Sequence, residues 1–222
     1  MSSSVIAIDG PAASGKSTVA GLVAERLNIP YLNTGNMFRA VAFYLLDRGF
    51  DFDSFDRKKL SALLAEMELD YKASEEGFVL QLNGRTLAGE IRQPEVTSFV
   101  SSVAASAAVR KLLLQLQRRY AAHGLIVMEG RDIGTVVFPD AAYKFFITAS
   151  PLVRAQRRLK QSDEVVDGAT LQHVADEIAR RDQLDSTRAI APLCQAADAA
   201  LIDTSDLTID EVVEQIVSKV KL

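Results

Sequence analysis

Gly10-Pro11-Ala12-Ala13-Ser14-Gly15-Lys16-Ser17 is the stretch of this chain whose residue types and spacing carry the most chemistry. It spells G-x-x-x-x-G-K-[ST], a phosphate-binding loop, and it follows directly on the apolar β-branched run Val5-Ile6-Ala7-Ile8-Asp9. Strand, glycine-rich turn and helix are the context in which this pattern has meaning. The glycines let the backbone curl round an anion without Cβ clashes. The N–H groups then turn inward, and the next helix adds the positive end of its dipole. Lys16 is placed to reach the β- and γ-phosphates of a nucleoside triphosphate, and Ser17 to offer a hydroxyl to Mg²⁺. Gly10, Pro11, Ala12, Ala13, Ser14, Gly15, Lys16, Ser17 and Thr18 are therefore the expected ATP-binding residues.

What becomes of the γ-phosphate depends on the other polar residues. A guanine-nucleotide switch needs D-x-x-G and N-K-x-D; no Asp here has Gly three residues later, and no Asn precedes Lys. Arginines are the recurring alternative, and their planar forks grip phosphate oxygens bidentately. A kinase for a small phosphorylated acceptor needs that equipment and no general base, because its nucleophile is a phosphate oxygen already ionised at pH 7. His123 and His173 are then expected on solvated helix faces. The net charge of −4 disfavours a nucleic-acid partner. The single cysteine, Cys194, excludes an internal disulfide and is expected to be at least partly buried. Met-Ser-Ser-Ser at the start lacks the pattern of a secretory signal, and no apolar run reaches membrane-spanning length. A soluble cytoplasmic protein is expected.

These residues need elements to hold them. Apolar runs at 5–9, 31–33, 125–129, 143–148 and 199–203 predict five strands, and the helical patterns between them predict a parallel sheet covered on both faces. Phe38, Val41, Ala42, Leu45 and Leu46 predict a helix over 36–47. Thr208 with Glu211 three residues on predicts a capping box opening the last helix. The alternation breaks at 69–91, where Asn83-Gly84 between apolar runs predicts an antiparallel insert. Residues 150–190 are charged and helical, as a mobile cover over the loop would be.

Three separated segments make the reading specific. Gly10–Thr18 followed by Asn33-Thr34-Gly35-Asn36-Met37-Phe38-Arg39 resembles the phosphate loop and first substrate segment of bacterial cytidylate kinases. Glu129-Gly130-Arg131-Asp132-Ile133-Gly134-Thr135-Val136-Val137-Phe138-Pro139-Asp140 is similar to that family's most distinctive motif, and so is Arg181-Asp182-Gln183-Leu184-Asp185-Ser186-Thr187-Arg188-Ala189-Ile190-Ala191-Pro192. The insert at 69–91 matches as well, so the resemblance runs in order along nearly the whole chain.

The resemblance implies a three-layer α/β fold on a five-stranded parallel sheet. It also implies a core (1–35, 107–150, 189–222), a monophosphate-binding arm with a β insert (36–106) and a helical lid (151–188). Thr34, Arg39, Arg131 and Arg188 would surround the CMP phosphate. Ser101, Arg110 and Asp132 would read the cytosine edge, and Arg181 and Asp185 would hold the ribose hydroxyls. Arg154, Arg157 and Arg158 would cover the ATP phosphates. Lys16, Arg131, Arg158 and Arg188 would carry the catalysis, with Mg²⁺ on Ser17. The sequence departs from the family at Asn33 (often Asp), Asn36 (usually Ala), Phe38 (often Tyr) and Glu129 (commonly Asp); none of these removes a phosphate-binding arginine.

Plainer readings stay open on the residues alone. Arg181, Asp185 and Arg188 stand at i, i+4 and i+7 and could simply pair on a helix face. Arg154, Arg157 and Arg158 could form a solvated basic stripe. The expected reaction is ATP with CMP or dCMP to ADP with CDP or dCDP, in a monomer that binds no nucleic acid or membrane. The alternatives are a kinase for another monophosphate such as UMP, or a non-catalytic nucleotide-binding regulator, which should have lost the acceptor arginines.

Overall fold

The run Val5–Ile8 is wholly buried, because it forms the central strand of a sheet covered on both faces. The computed structural model describes residues 3–52, 54–74, 77–122, 124–160, 165 and 168–221. The first half contains β1 (Ser3–Asp9), α1 (Lys16–Leu27), β2 (Tyr31–Asn33), α2 (Thr34–Asp47) and α3 (Arg57–Glu66). The insert follows as β3 (Leu69–Ser74), β4 (Gly77–Leu82) and β5 (Arg85–Thr86), then a short 3₁₀ turn at Gly89–Arg92. Next come α4 (Pro94–Ala105), α5 (Ala107–Ala121), β6 (Ile126–Gly130), a π-turn at Ile133–Val137 and β7 (Ala141–Thr148). The chain closes with α6 (Pro151–Leu159), α7 (Leu171–Thr187), β8 (Ala200–Asp203) and α8 (Ile209–Val217).

The five long-range strands lie in the order β2-β6-β1-β7-β8, and every pairing is parallel. Alternation along β1 assigns the layers. Val5 and Ala7 belong to one apolar cluster with α2, α4, α5 and the insert, whereas Ile6 and Ile8 belong to the other with α1 and α8. A third, much smaller cluster of Ala155, Val174 and Ile178 joins α6 to α7.

The sequence expectations hold closely for these elements. Helix α2 starts two residues early because the Asn33 side chain accepts the Asn36 N–H at 3.1 Å and caps it. Thr208 and Glu211 form the expected capping box on α8. Asn83 and Gly84 both take positive φ (49° and 78°), the turn that matches the twist of a two-residue hairpin. Two expectations do not hold. Cys194 is exposed, because residues 189–199 cross from α7 to β8 over the surface with no regular structure to bury a small side chain. Arg188 is not on a helical face: α7 ends at Thr187 and Arg188 is extended (φ −61°, ψ 143°). His173 is exposed on α7, within 3.6 Å of Glu177, as a solvated helix residue should be; His123 lies outside the described residues.

Candidate active site

At the C-terminal edge of the sheet, β1 runs into its glycine-rich turn. Gly10 has φ +154°, and a Cβ there would stand 2.0 Å from the Ile147 carbonyl of β7, so the close strand contact requires glycine. Gly15 (φ 88°) is the N-cap of α1 and supplies no side-chain cap. Like α4 and α5, α1 has no side-chain cap, but only its first turn opens on the glycine-rich loop, where its N–H groups suit an anion. In front of them lies a cavity of about 150 Å³.

Its lining gathers segments far apart in sequence: residues 13–18, the start of α2, the end of β6 and the end of α7. Lys16, Arg39, Arg92, Arg131, Arg158, Arg181 and Arg188 line it, against only Glu129, Asp132 and Asp185. That excess of positive charge has a cost. Lys16 is driven well below the usual ammonium range by burial and then by Arg131. Burial and then Arg131 and Arg39 pull Arg181 down to about 9. Arg39 falls to about 10 through burial and Arg92, and Arg158 to about 10 through burial and Arg39. Three lining atoms are buried without a hydrogen-bond partner among the described residues: Ser14 Oγ, Glu129 Oε2 and Arg181 Nε. Crowded cations with an arginine N–H left unpaired among them are the signature of a site completed by an anion.

The carboxylates organise the arginines. Asp185, at the end of α7, accepts Arg131 Nε at 3.0 Å and lies 3.8 Å from Arg188. Burial pushes its pKa up, but Arg131, Arg181 and Arg188 outweigh that and hold its carboxyl below the usual range. Asp132 pairs with Arg110 through one oxygen and lies 3.5 Å from Arg188 through the other. The Arg110 guanidinium also sits 5.5 Å from the Phe38 ring centroid, so loss of a tyrosine hydroxyl there leaves the stacking face intact. Asp9, at the end of β1, accepts the N–H groups of Ile133 and Gly134 at 2.8 and 2.7 Å and thereby fixes the π-turn after Asp132. Burial nevertheless raises its pKa to about 6.

Most of the residues expected from the sequence meet here, in different roles. Ala13, Ser14, Gly15, Lys16, Ser17, Thr18, Thr34, Arg39, Arg131, Asp132, Arg158, Arg181, Asp185 and Arg188 line the cavity. Lys16 donates to the Pro11 carbonyl at 2.8 Å, and the Ala12 N–H is already given to Asp182 at 3.2 Å. Ser101 lines the adjoining cleft between α4 and α7, with its hydroxyl 3.4 Å from Asp185. The three lid arginines part company. Arg154 is buried against Asp182 and donates to Ala12 O at 3.3 Å, so it buttresses the phosphate loop. Arg157 donates to Ser14 O (3.2 Å) and to Thr204, and it lines a separate cavity of about 240 Å³ with Leu207, Ile209 and Val212. Only Arg158 faces the cation-lined cavity. Sequence reasoning missed Arg92, which the 3₁₀ turn after the insert delivers to the cavity; nothing in Gly89-Glu90-Ile91-Arg92 marks it beforehand.

A parallel α/β sheet ending in a phosphate loop, with a cavity lined by six arginines continuous with that loop, defines a P-loop protein. The comparisons sharpen that class. The cytidylate kinase family model matches residues 6–222. A cytidylate kinase of Clostridium botulinum (strain Langeland) is 45% identical over 216 residues, covering 97% of each chain. One from Clostridioides difficile is 43% identical over 222 residues, covering 100% of both. The chain belongs to the cytidylate kinase family. A crystal structure of an uncharacterized protein from Eubacterium ventriosum shares the fold at a TM-score of 0.53 and 14% identity, covering 96% of each chain.

Proposed function

We propose that this chain transfers the γ-phosphoryl group of ATP to CMP or dCMP, giving ADP and CDP or dCDP. The observation that carries the reading is the cation-lined cavity continuous with the phosphate loop, seven basic side chains against three carboxylates. A non-catalytic nucleotide binder has no use for six arginines beyond its phosphate loop. Arg39, Arg131 and Arg188, with Thr34, hold the acceptor phosphate; Lys16 and Arg158 neutralise charge on the transferred group. The acceptor oxygen is already ionised, so the site needs no general base, and none of its residues is called on to act as one. Arg181 and Asp185 face the ribose. Asp132 accepts from the cytosine amino group, and Arg110, oriented by Phe38 and Asp132, donates to the ring acceptors. The apolar cavity beside Arg157 suits the base of the donor.

The donor set fits Mg²⁺. Ser17 presents a hydroxyl at the start of α1, and Glu129 leaves Oε2 unpartnered in the same cavity; both are hard oxygen ligands. Among the described residues no group of three His, Cys, Asp or Glu could hold a metal alone, so a bound ion would draw further ligands from phosphate oxygens and water. When bound, Mg²⁺ supplies Lewis-acid neutralisation of the donor phosphates. In the division into core (1–35, 107–150, 189–222), arm (36–106) and lid (151–188), the lid finds support in its small apolar cluster; α2 and the insert share a cluster with the core strands, so packing does not set the arm apart. No single described helix is long and apolar enough to cross a membrane.

The deciding experiment is a coupled ADP-release assay across CMP, dCMP, UMP, AMP and GMP. CMP and dCMP should show the highest kcat/KM, with UMP lower by tenfold or more, since uracil would set a carbonyl against Asp132 and an N–H against Arg110. Equal kcat/KM for CMP and UMP would show the base-reading site to be misassigned.

A further inference from the structure

The antiparallel insert touches, through one side chain, the strand-to-helix junction that carries two residues of the site. Tyr71, on β3, is 7% exposed and packs edge-on against Tyr120 and Phe78, with ring centroids 5.7 and 6.5 Å away. Its main chain is clamped to α5. The Tyr120 hydroxyl accepts the Tyr71 N–H at 2.6 Å and can donate its single proton to the Tyr71 carbonyl at 2.8 Å or to the Asp70 carboxylate. So held, the Tyr71 hydroxyl donates to the Asn33 carbonyl at 2.9 Å.

Asn33 is the hinge of the acceptor segment. It is the last residue of β2 and the N-cap of α2, extended at φ −89°, ψ 101°, with helix beginning at the next residue. On its other side it registers opposite Glu129 of β6, whose carbonyl accepts the Thr34 hydroxyl at 2.7 Å. Any tilt at this junction moves Thr34, at the first position of α2, and Arg39, one and a half turns on. Both are cavity residues.

We propose that Tyr71 is a positioning residue for the acceptor monophosphate: from the insert, its hydroxyl fixes the Asn33 carbonyl and with it the angle at which α2 presents Thr34 and Arg39. The inference rests on the assignment of those two residues to the acceptor. The insert is then a strut of the acceptor site, and its three strands hold Tyr71 in place with a rigidity that a loop could not supply.

Tyr71→Phe keeps the ring and removes only the donor. The Kd and KM for CMP should rise about fivefold to tenfold, the effect of one lost hydrogen bond to a buried carbonyl, while kcat and the KM for ATP stay within twofold. Tyr44→Phe, which removes another buried hydroxyl from α2 itself, serves as the control and should leave CMP binding unchanged. A CMP Kd for Tyr71→Phe within twofold of wild type, or equal weakening of CMP and ATP, overturns the proposal. A measurement on the unaltered protein guards against a variant that fails to fold: amide exchange in β3 should slow when CMP saturates the site, and unchanged exchange there overturns the tether. A wild-type protein that binds no CMP at all would instead overturn the acceptor assignment, and the proposal with it.

Discussion

Lys16 donates to the Pro11 carbonyl, a bond a phosphate can replace, and its charge is disfavoured by burial until an anion arrives. Lys16→Ala should therefore cost kcat by orders of magnitude, because the lysine acts on oxygens that gain charge in the transition state. It should not cost stability, since a disfavoured buried cation is removed; near wild-type turnover with an unchanged melting temperature would defeat the assigned role. Asp9 shows the opposite economy. Its carboxylate holds the π-turn through two N–H groups, yet burial raises its pKa to about 6, from an ordinary value near 4. Between those values the native protein binds a proton that the unfolded chain has released. The contribution of Asp9 is therefore greatest below pH 4, declines as pH rises to about 6, and is constant above. Two pKa units correspond to about 3 kcal/mol. Asp9→Asn loses an acceptor at every pH but cannot titrate, so the difference between wild type and variant isolates the effect. Denaturant unfolding from pH 4 to 7 should show wild type losing about 3 kcal/mol relative to Asp9→Asn; parallel profiles would mean Asp9 titrates normally.

Helices α6 and α7 are held by few apolar contacts. Their cluster has Ala155, Val174 and Ile178 at its centre, against the many residues packed on each sheet face. Polar ties to the phosphate loop do the rest: Arg154 to Ala12 O, and Asp182 to the Ala12 N–H and to Arg154. An element of that kind opens locally at low cost. Amide exchange in residues 151–159 and 171–187 should be faster than in β1 without ligand and should slow when ATP and CMP are both bound; unchanged exchange would make this a static surface. The same contrast explains what the sequence could show. Sheet strands were legible because Val5–Ile8 must bury both faces, and the hairpin because Asn83-Gly84 admits positive φ at both positions. The phosphate loop was legible because its chemistry is local. Arg92, the Tyr71 tether and the separate tasks of Arg154, Arg157 and Arg158 were not, because each depends on where a distant backbone carbonyl or carboxylate comes to rest. Arg188 was misplaced on a helical face because periodicity says nothing about where α7 stops, and Cys194 was misjudged because residue type cannot reveal that its segment crosses the surface.

At the scale of the molecule, the site is a strain on the fold that its ligands relieve. Arg39, Arg158 and Arg181 all titrate below the ordinary guanidinium range, through burial first and mutual repulsion second. A cation whose folded pKa is lowered destabilises the native state throughout the range below that value, so at pH 7 the full cost is present. An acceptor phosphate supplies the missing countercharge. CMP at about 100 times its Kd should add about 2.7 kcal/mol of stability. For a chain of this length that raises the melting temperature by about 5–10 °C. Arg181 is the informative position, since its Nε lacks a partner among the described residues and its largest repulsion comes from Arg131. Arg181→Met keeps much of the aliphatic volume and removes the charge. The unliganded variant should melt about 2–4 °C above wild type, the equivalent of about 1 kcal/mol, and the shift induced by CMP should shrink by at least half. Both melting curves can be recorded in one calorimetric series at pH 7. A lower unliganded melting temperature would show that attraction to Asp185 outweighs the repulsion on Arg181, and that the arginine crowd is a structural network with no strain for a ligand to release.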